Sequence, residues 1–166
     1  EESQIKLLGL NLETKFIDIN CYEKLNEVIS KFNPKIVFHL AAQPIVKMAN
    51  ENPIETFQTN VMGTLNLFES CRKNKVKHIV NVTSDKVYKN NETRKIFTES
   101  DVIGGNDLYS ASKASVEIMT ESYLKVFDSP SQLIIANVRS GNVIGGGDWG
   151  NFRLIPDIIK CYLNNK

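Results

Sequence analysis

Residues 35–42, KIVFHLAA, form an apolar run only eight residues long, and residues 78–84, HIVNVTS, repeat the pattern. Such runs are too short for a membrane span. They suit strands covered on both faces, as in a parallel sheet. Parallel neighbours need a crossover between them, and the intervening sequence supplies one. Pro53 is placed to open a long helix running through Thr56, Asn60, Gly63, Leu67 and Cys71. The same alternation holds on either side. Residues 15–19, KFIDI, are short and β-prone, and residues 22–32 carry Leu25, Val28, Ile29 and Phe32 at helical spacing, ending before Pro34. Further on, residues 109–127 place Val116, Met119, Tyr123 and Phe127 on one helical face and lead to a strand over 132–138. Alternating strands and helices predict an α/β fold, a doubly wound parallel sheet with its ligand crevice at the carboxyl ends of the strands.

The remaining composition narrows the function classes. In 166 residues, 20 Lys and Arg balance 19 Asp and Glu, so no basic face invites nucleic acid. The opening residues EESQIKLLGL lack the layout of a secretion signal, which leaves the cytoplasm as the expected compartment. Cys21, Cys71 and Cys161 are odd in number and far apart, indicating reduced thiols and no metal site. A dinucleotide-binding sheet normally opens on a strand, a Gly-rich turn and a helix. No such turn precedes residue 15. The Gly cluster GNVIGGGDWG lies late, at 141–150, without the strand-turn-helix setting of a phosphate cradle. The sequence therefore reads as an internal piece of a sheet truncated at both ends. An exposed strand edge with apolar side chains follows from that reading, and with it poor solubility for the segment alone.

Two constellations carry chemistry. Tyr109 and Lys113 stand four apart at the start of a predicted helix, on one face. An ammonium beside a phenol favours the phenolate, a base for a substrate hydroxyl during hydride loss to a nicotinamide. A packed ring with a solvated amine is the plainer reading of the same spacing. Ser84-Asp85-Lys86 puts a hydroxyl, a carboxylate and an amine just past a strand, where a crevice is expected; a turn capped by Asp85 is the alternative. His39, inside an apolar strand, reads as a core histidine, and His78 as a surface one.

HLAAQ, NVxGT, VTSDKVY, the YxxxK pair and GNVIGGGDW followed by RLIPD together resemble the extended short-chain dehydrogenase/reductase family. Within it they are most similar to the CDP-glucose 4,6-dehydratase branch. The resemblance implies a partial NAD-binding domain of Rossmann type over 1–166, with 141–166 beginning the substrate-binding part. It implies NAD as cofactor, CDP-glucose as substrate, a homodimer, and a place in making deoxysugars for surface polysaccharides such as lipopolysaccharide. Asp18 and Ile19 would lie at the adenine end of the cofactor; Leu40, Ala41 and Ala42 would lie along its pyrophosphate and nicotinamide ribose. Thr59 would line the cofactor from the long helix, and Asn60 would bridge backbone elements. These small and polar residues also suit ordinary helix-to-sheet packing.

The implied chemistry is an internal redox cycle. Tyr109 would take the proton of the sugar 4-hydroxyl, with Lys113 holding the phenolate and the nicotinamide ribose. Ser84 would bond the 4-oxygen, and Asp85, if buried, would protonate the departing 6-hydroxyl. Lys86 stands where dTDP-glucose dehydratases carry a Glu as base for the 5-proton. It would serve as that base only if desolvated, and otherwise as a charge stabilising the enolate. Asn142, Arg153, Leu154 and Pro156 would contact the sugar nucleotide, Asn142 and Arg153 at its phosphates. The other readings are a dTDP- or UDP-sugar dehydratase, a nucleotide-sugar epimerase, or a segment that is non-catalytic in isolation.

Overall fold

The computed structural model describes residues 9, 12–90, 94–127 and 133–164. The chain divides into two units. One is Ile17–Gly141; the other joins Asn142–Lys166 with Glu1–Phe16.

Ile17–Gly141 holds the sheet. Helix α1, Tyr22–Phe32, buries Leu25 and Ile29, four apart on one face, and stops at Asn33, whose left-handed backbone (φ 49°) suits an Asn at a helix end. Pro34 bars continuation, and β1, Ile36–His39, follows. Three helical segments then run almost end to end: α2, Val46–Glu51; α3, Pro53–Phe57, with its proline in the first turn; and α4, Gly63–Lys73. A single π-helical turn, Gln58–Met62, joins α3 to α4. β2, His78–Val82, leads into a 3₁₀ turn, Asp85–Val87; α5, Leu108–Val126, and β3, Ile134–Val138, complete the unit.

The strands lie in the order β1-β2-β3, all parallel, with Ile36 opposite His78 and His78 opposite Ile134. The expected α/β fold with a parallel, Rossmann-like sheet is present. Under it, Leu25, Ile29, Leu67, Phe68, Cys71, Val76, Ile79, Tyr123 and Ile135 form one apolar core. Phe68 is fully buried, its ring 5.6 Å from that of Tyr123.

Several expectations need correction. Residues 15–19 form no strand, because a strand persists only within a ladder and no described strand lies beside them. Residues 35–42 are paired only over Ile36–His39, and Leu40–Ala42 leave the sheet as loop. Among the described residues that strand stands at one end of the β1-β2-β3 order, with Phe38 67% exposed. The helix read from Pro53 exists but is broken by the π turn. The strand read over 132–138 begins at Ile134, and residue 132 lies outside the described residues.

In the other unit, α6, Leu154–Leu163, is introduced by Arg153 and buries Pro156 in its first turn. Lys160 Nζ donates to the Trp149 carbonyl at 3.2 Å, and Gly147 takes the positive φ (77°) that glycine adopts without strain. No helix among the described residues is long and apolar enough to cross a membrane.

Candidate active site

The start of α5 is fixed by two local devices. Asp107 caps the helix, its carboxylate accepting from the Ser110 backbone N–H at 2.9 Å and from the Ser110 hydroxyl at 2.6 Å. Gly105 lies directly against the same turn: a Cβ there would come within 2.2 Å of the Ala111 nitrogen, so only glycine permits the approach. Tyr109 follows two residues after the cap and is buried. One turn later Lys113, also buried, reaches across to β2, where its Nζ donates to the Val82 carbonyl at 3.1 Å. Burial pulls the Lys113 ammonium down to about 8, far below an ordinary lysine, so it still carries its charge at neutral pH.

Beyond Val82 the chain turns sharply. The Thr83 N–H donates to the Val138 carbonyl and the Asp85 N–H to the Ser140 carbonyl, both at 2.9 Å. Ser84, buried, caps the 3₁₀ turn: its Oγ accepts from the Lys86 N–H and donates to Asp85 Oδ1, each at 3.2 Å. The cap expected at this turn is present, but Ser84 provides it rather than Asp85. Asp85 and Lys86 are exposed, so the burial and desolvation on which their expected roles leaned are not supplied by Ile17–Gly141 itself.

Asn60, in the π turn, ties three elements together. Its Oδ1 accepts from the Gln43 N–H at 2.8 Å, and its Nδ2 donates to the Gln43 carbonyl at 3.1 Å and to Ser112 Oγ at 2.9 Å. The loop after β1 is thus pinned to the first turns of α5, as the bridging role read for Asn60 requires. The wider turn releases a backbone carbonyl that an ordinary helix would occupy. Thr64 Oγ1 donates to the Asn60 carbonyl at 2.6 Å, so the hydroxyl must accept from His39 Nε2, 2.9 Å away. His39 is therefore a buried, neutral, hydrogen-bonded histidine. Burial, and then the nearby Lys113 charge, push it down to about 4.

A cleft of about 770 Å³ opens between the loop before α1 and the helices that follow β1, lined by Asp18, Asn20, Glu55, Gln58, Thr59, Met62 and Asn66. Asp18 and Thr59, singled out separately in the sequence, share its wall. Ile19 turns away and packs on α4, where a Cβ on Gly63 would meet its side chain at 2.6 Å. Its carbonyl accepts from Asn66 Nδ2 at 3.0 Å. Leu40 and Ala41 are exposed and Ala42 half-buried just past β1, leaving open backbone at the carboxyl edge of the sheet.

Lys113, Ser84, Asp85, Lys86 and Leu40–Ala42 lie at the carboxyl ends of β1 and β2, with Tyr109 buried one turn before Lys113 on α5 and Asp18, Ile19 and Thr59 on the loop and helices that follow. Asn142, Arg153, Leu154 and Pro156 belong to the other unit. There Asn142 and Leu154 are exposed, Arg153 Nε is 3.8 Å from Asp148 Oδ2, and Pro156 is buried. Residues not singled out from the sequence also shape the site: Asp107, Gln43, Thr83, Glu117 and Arg139. Asp107 was findable, since an acidic residue just before a periodic helix is an N-cap signal. Glu117 stands four beyond Lys113 on the same face, a weaker sign.

Compared with known proteins, the sequence matches the family described as "NAD dependent epimerase/dehydratase family" over residues 3–166. It is 44% identical over 172 aligned positions to a CDP-glucose 4,6-dehydratase of Salmonella typhimurium, covering 99% of this chain and 48% of that protein. It is 34% identical over 170 positions to a UDP-glucose 4-epimerase of Mycoplasma genitalium, with 96% and 48% covered. Among solved structures, a dTDP-glucose 4,6-dehydratase of Bacillus anthracis in complex with NAD superposes with a TM-score of 0.75 at 28% identity, over 90% of this chain and 44% of that one. The chain spans about half the length of the curated relatives it matches.

Proposed function

This chain belongs to the NAD dependent epimerase/dehydratase family, and from that premise we propose that the intact protein is a nucleotide-sugar 4,6-dehydratase, a lyase that converts CDP-glucose to CDP-4-keto-6-deoxyglucose. The observation that carries the reading is the tether from Lys113 Nζ to the Val82 carbonyl. It holds the Tyr109 and Lys113 face of α5 over the strand end that continues into Ser84-Asp85-Lys86. The 44% identical dehydratase supports the choice of sugar nucleotide.

The residues present fit a nicotinamide dinucleotide. The Asp18 carboxylate faces the cleft beside Thr59, a chemistry suited to ribose hydroxyls, and the open backbone at Leu40–Ala42 allows close approach of a pyrophosphate. Ile19, packed on Gly63, would shape the adenine end, and Tyr109 and Lys113 would hold the nicotinamide ribose. The bound dinucleotide would supply a hydride acceptor that also serves as donor within one turnover.

Tyr109, as phenolate, accepts the proton of the sugar 4-hydroxyl. The buried Lys113 ammonium, four residues on along the same helical face, stabilises the phenolate in a setting whose low polarity strengthens the attraction. Ser84 turns its hydroxyl from Asp85 to the forming 4-ketone. With the 5-hydrogen acidified by that ketone, Lys86 stabilises the enolate or takes the proton, and Asp85 protonates the departing 6-hydroxyl. Both side chains are exposed in Ile17–Gly141, so bound substrate supplies the desolvation these two steps require. The family resemblance also assigns sugar-nucleotide contacts to Asn142, Arg153, Leu154 and Pro156.

A homodimer in the cytoplasm, feeding deoxysugar synthesis for surface polysaccharides, completes the proposal. The free Cys21, Cys71 and Cys161 are compatible with a reducing compartment, and burial pushes the Cys71 thiol up to about 12. The test is to incubate the intact protein separately with CDP-, dTDP- and UDP-glucose and to look for loss of one water by mass. Water lost from CDP-glucose alone is the expected result. An epimer formed without loss of water would instead support the chemistry named for the Mycoplasma relative.

A further inference from the structure

Glu117 is 4% exposed yet carries a carboxylate, on the same face of α5 as Tyr109 and Lys113 and one turn beyond Lys113. Thr83 Oγ1 donates to Glu117 Oε1 at 2.6 Å. Arg139, just past β3, grips the carboxylate as a fork, its Nε 3.0 and 2.9 Å from the two oxygens and its Nη2 also on Oε2. Arg139 reaches further: its guanidinium lies 4.7 Å over the Tyr88 ring, which stacks on Phe97 at 4.8 Å, and its Nη1 donates to the Glu99 carbonyl at 3.3 Å.

A buried ion pair is a poor way to gain stability, since a well-packed apolar pair of the same shape is often as good or better. Geometry offers a different reason for this one. Lys113 fastens α5 to Val82 and Glu117 fastens it to Thr83, so two points four residues apart on the helix hold two consecutive residues of the strand end. One attachment lets a helix pivot. Two fix both its rotation and its position along the axis. The next residue of the strand end is Ser84, and the next turn back along the helix carries Tyr109.

We propose that Glu117, gripped by Arg139, is a positioning residue for the hydride-transfer reaction. It sets the register of α5 on the end of β2, so that Tyr109 faces the Ser84–Lys86 turn, and Arg139 carries the same constraint into the loop through Tyr88 and Phe97. Neither residue touches the reacting atoms. The proposal rests on the dehydratase reading only for the choice of sugar, because abstraction of a 4-hydroxyl proton and hydride is shared by dehydratases and epimerases.

The test uses the intact protein and three variants: Glu117→Gln, Arg139→Met and the double variant, which strands no buried charge and so keeps the comparison alive if a single variant fails to fold. Two readouts are taken, hydrogen–deuterium exchange and the appearance of reduced nicotinamide on adding each of CDP-, dTDP- and UDP-glucose. In the double variant, exchange is expected to quicken about tenfold over 83–88 and 97–103 and to stay unchanged over 63–73. Hydride transfer at saturating sugar is expected to fall by about 10- to 100-fold, as for a reacting group displaced by about 1 Å, with KM changed less than about threefold. Faster exchange throughout the protein, or an unchanged rate at saturation, would overturn the proposal and leave the pair a structural one. Hydride transfer without loss of water in the parent protein removes the dehydratase reading while the variants still judge Glu117. No hydride transfer with any of the three sugars overturns both.

Discussion

In the first half of the strands Ile79 and Ile135 pack with Val76, Leu67, Phe68 and Tyr123, whereas at the carboxyl ends His39, Thr83 and Ser84 are buried among Asn60, Lys113 and Glu117. The same helix spans both regions: α5 gives Tyr123 to the apolar end and Tyr109, Lys113 and Glu117 to the polar end. The apolar end is held by area removed from water, which tolerates small errors of position. The polar end is held by hydrogen bonds of fixed length and direction, and each unsatisfied buried group there costs about 1–3 kcal/mol. Apolar burial is therefore concentrated at one end of the sheet, and the residues proposed for chemistry at the other.

Two substitutions would break this division if it is wrong. Tyr109→Phe keeps the ring and deletes the proposed proton acceptor, so the rate of hydride transfer should fall by about 10²–10⁴-fold, roughly 3–5 kcal/mol in the barrier, while the melting temperature hardly moves. Phe68→Ala empties the centre of the apolar end, where the ring is fully buried, and should cost about 3–5 kcal/mol of folding stability. The rate per folded molecule should stay near that of the parent. Denaturant melts and single-turnover kinetics on both variants check the pair of outcomes. A Phe68→Ala protein that melts normally but reacts slowly would show that the two ends are not separable.

The third prediction concerns pH. His39 is held down to about 4 from an ordinary 6.5, so the unfolded chain binds a proton between those values that the folded protein refuses. Stability is then fully present above about 6.5 and is lost as pH falls through about 4, by about 3 kcal/mol in all. In His39→Gln that part of the acid sensitivity should vanish. Chemical melts at several pH values between 4 and 7 would show a shallower slope, and parallel slopes would rule the effect out. Lys113 obeys the same rule in a higher window: held down to about 8 from 10.5, it makes stability rise as pH increases across that range. Burying its charge is a cost the folded protein bears at neutral pH.

What the sequence made legible follows from how local each feature is. The helices over 22–32 and from 108 onward were readable because apolar residues at helical spacing need no distant partner to be recognised. That Tyr109 and Lys113 share a helical face was readable from spacing in the same way. The strand expected at 15–19 was not borne out, since strand formation depends on a neighbouring ladder and not on the β-propensity of KFIDI. The grip of Arg139 on Glu117 escaped notice because 22 residues separate them, and the parallel register of β2 and β3 brings the strand ends together. The π turn at Gln58–Met62 left no mark of its own, because its wider winding is tied to contacts of Asn60 with Gln43 and Ser112.

The smallest expected effect probes how firmly the polar end must be held. Asp107 is not at the apolar end and touches no reacting group, yet it fixes the first turn of α5 through two bonds to Ser110. Asp107→Ala removes the cap and should cost about 1 kcal/mol, lowering the melting temperature by a few degrees. The more telling quantity is the rate. Tyr109 lies in the turn the cap secures, and Lys113 lies one turn deeper with its own bond to Val82. Fraying of the first turn should therefore slow hydride transfer several-fold without altering the affinity for sugar nucleotide, and Asp107→Asn, which retains a capping oxygen, should recover most of the rate. A loss of stability with no change of rate would mean that Gly105, packed against the Ala111 nitrogen, holds the turn by itself. The precision of the polar end would then come from backbone packing rather than from its hydrogen bonds.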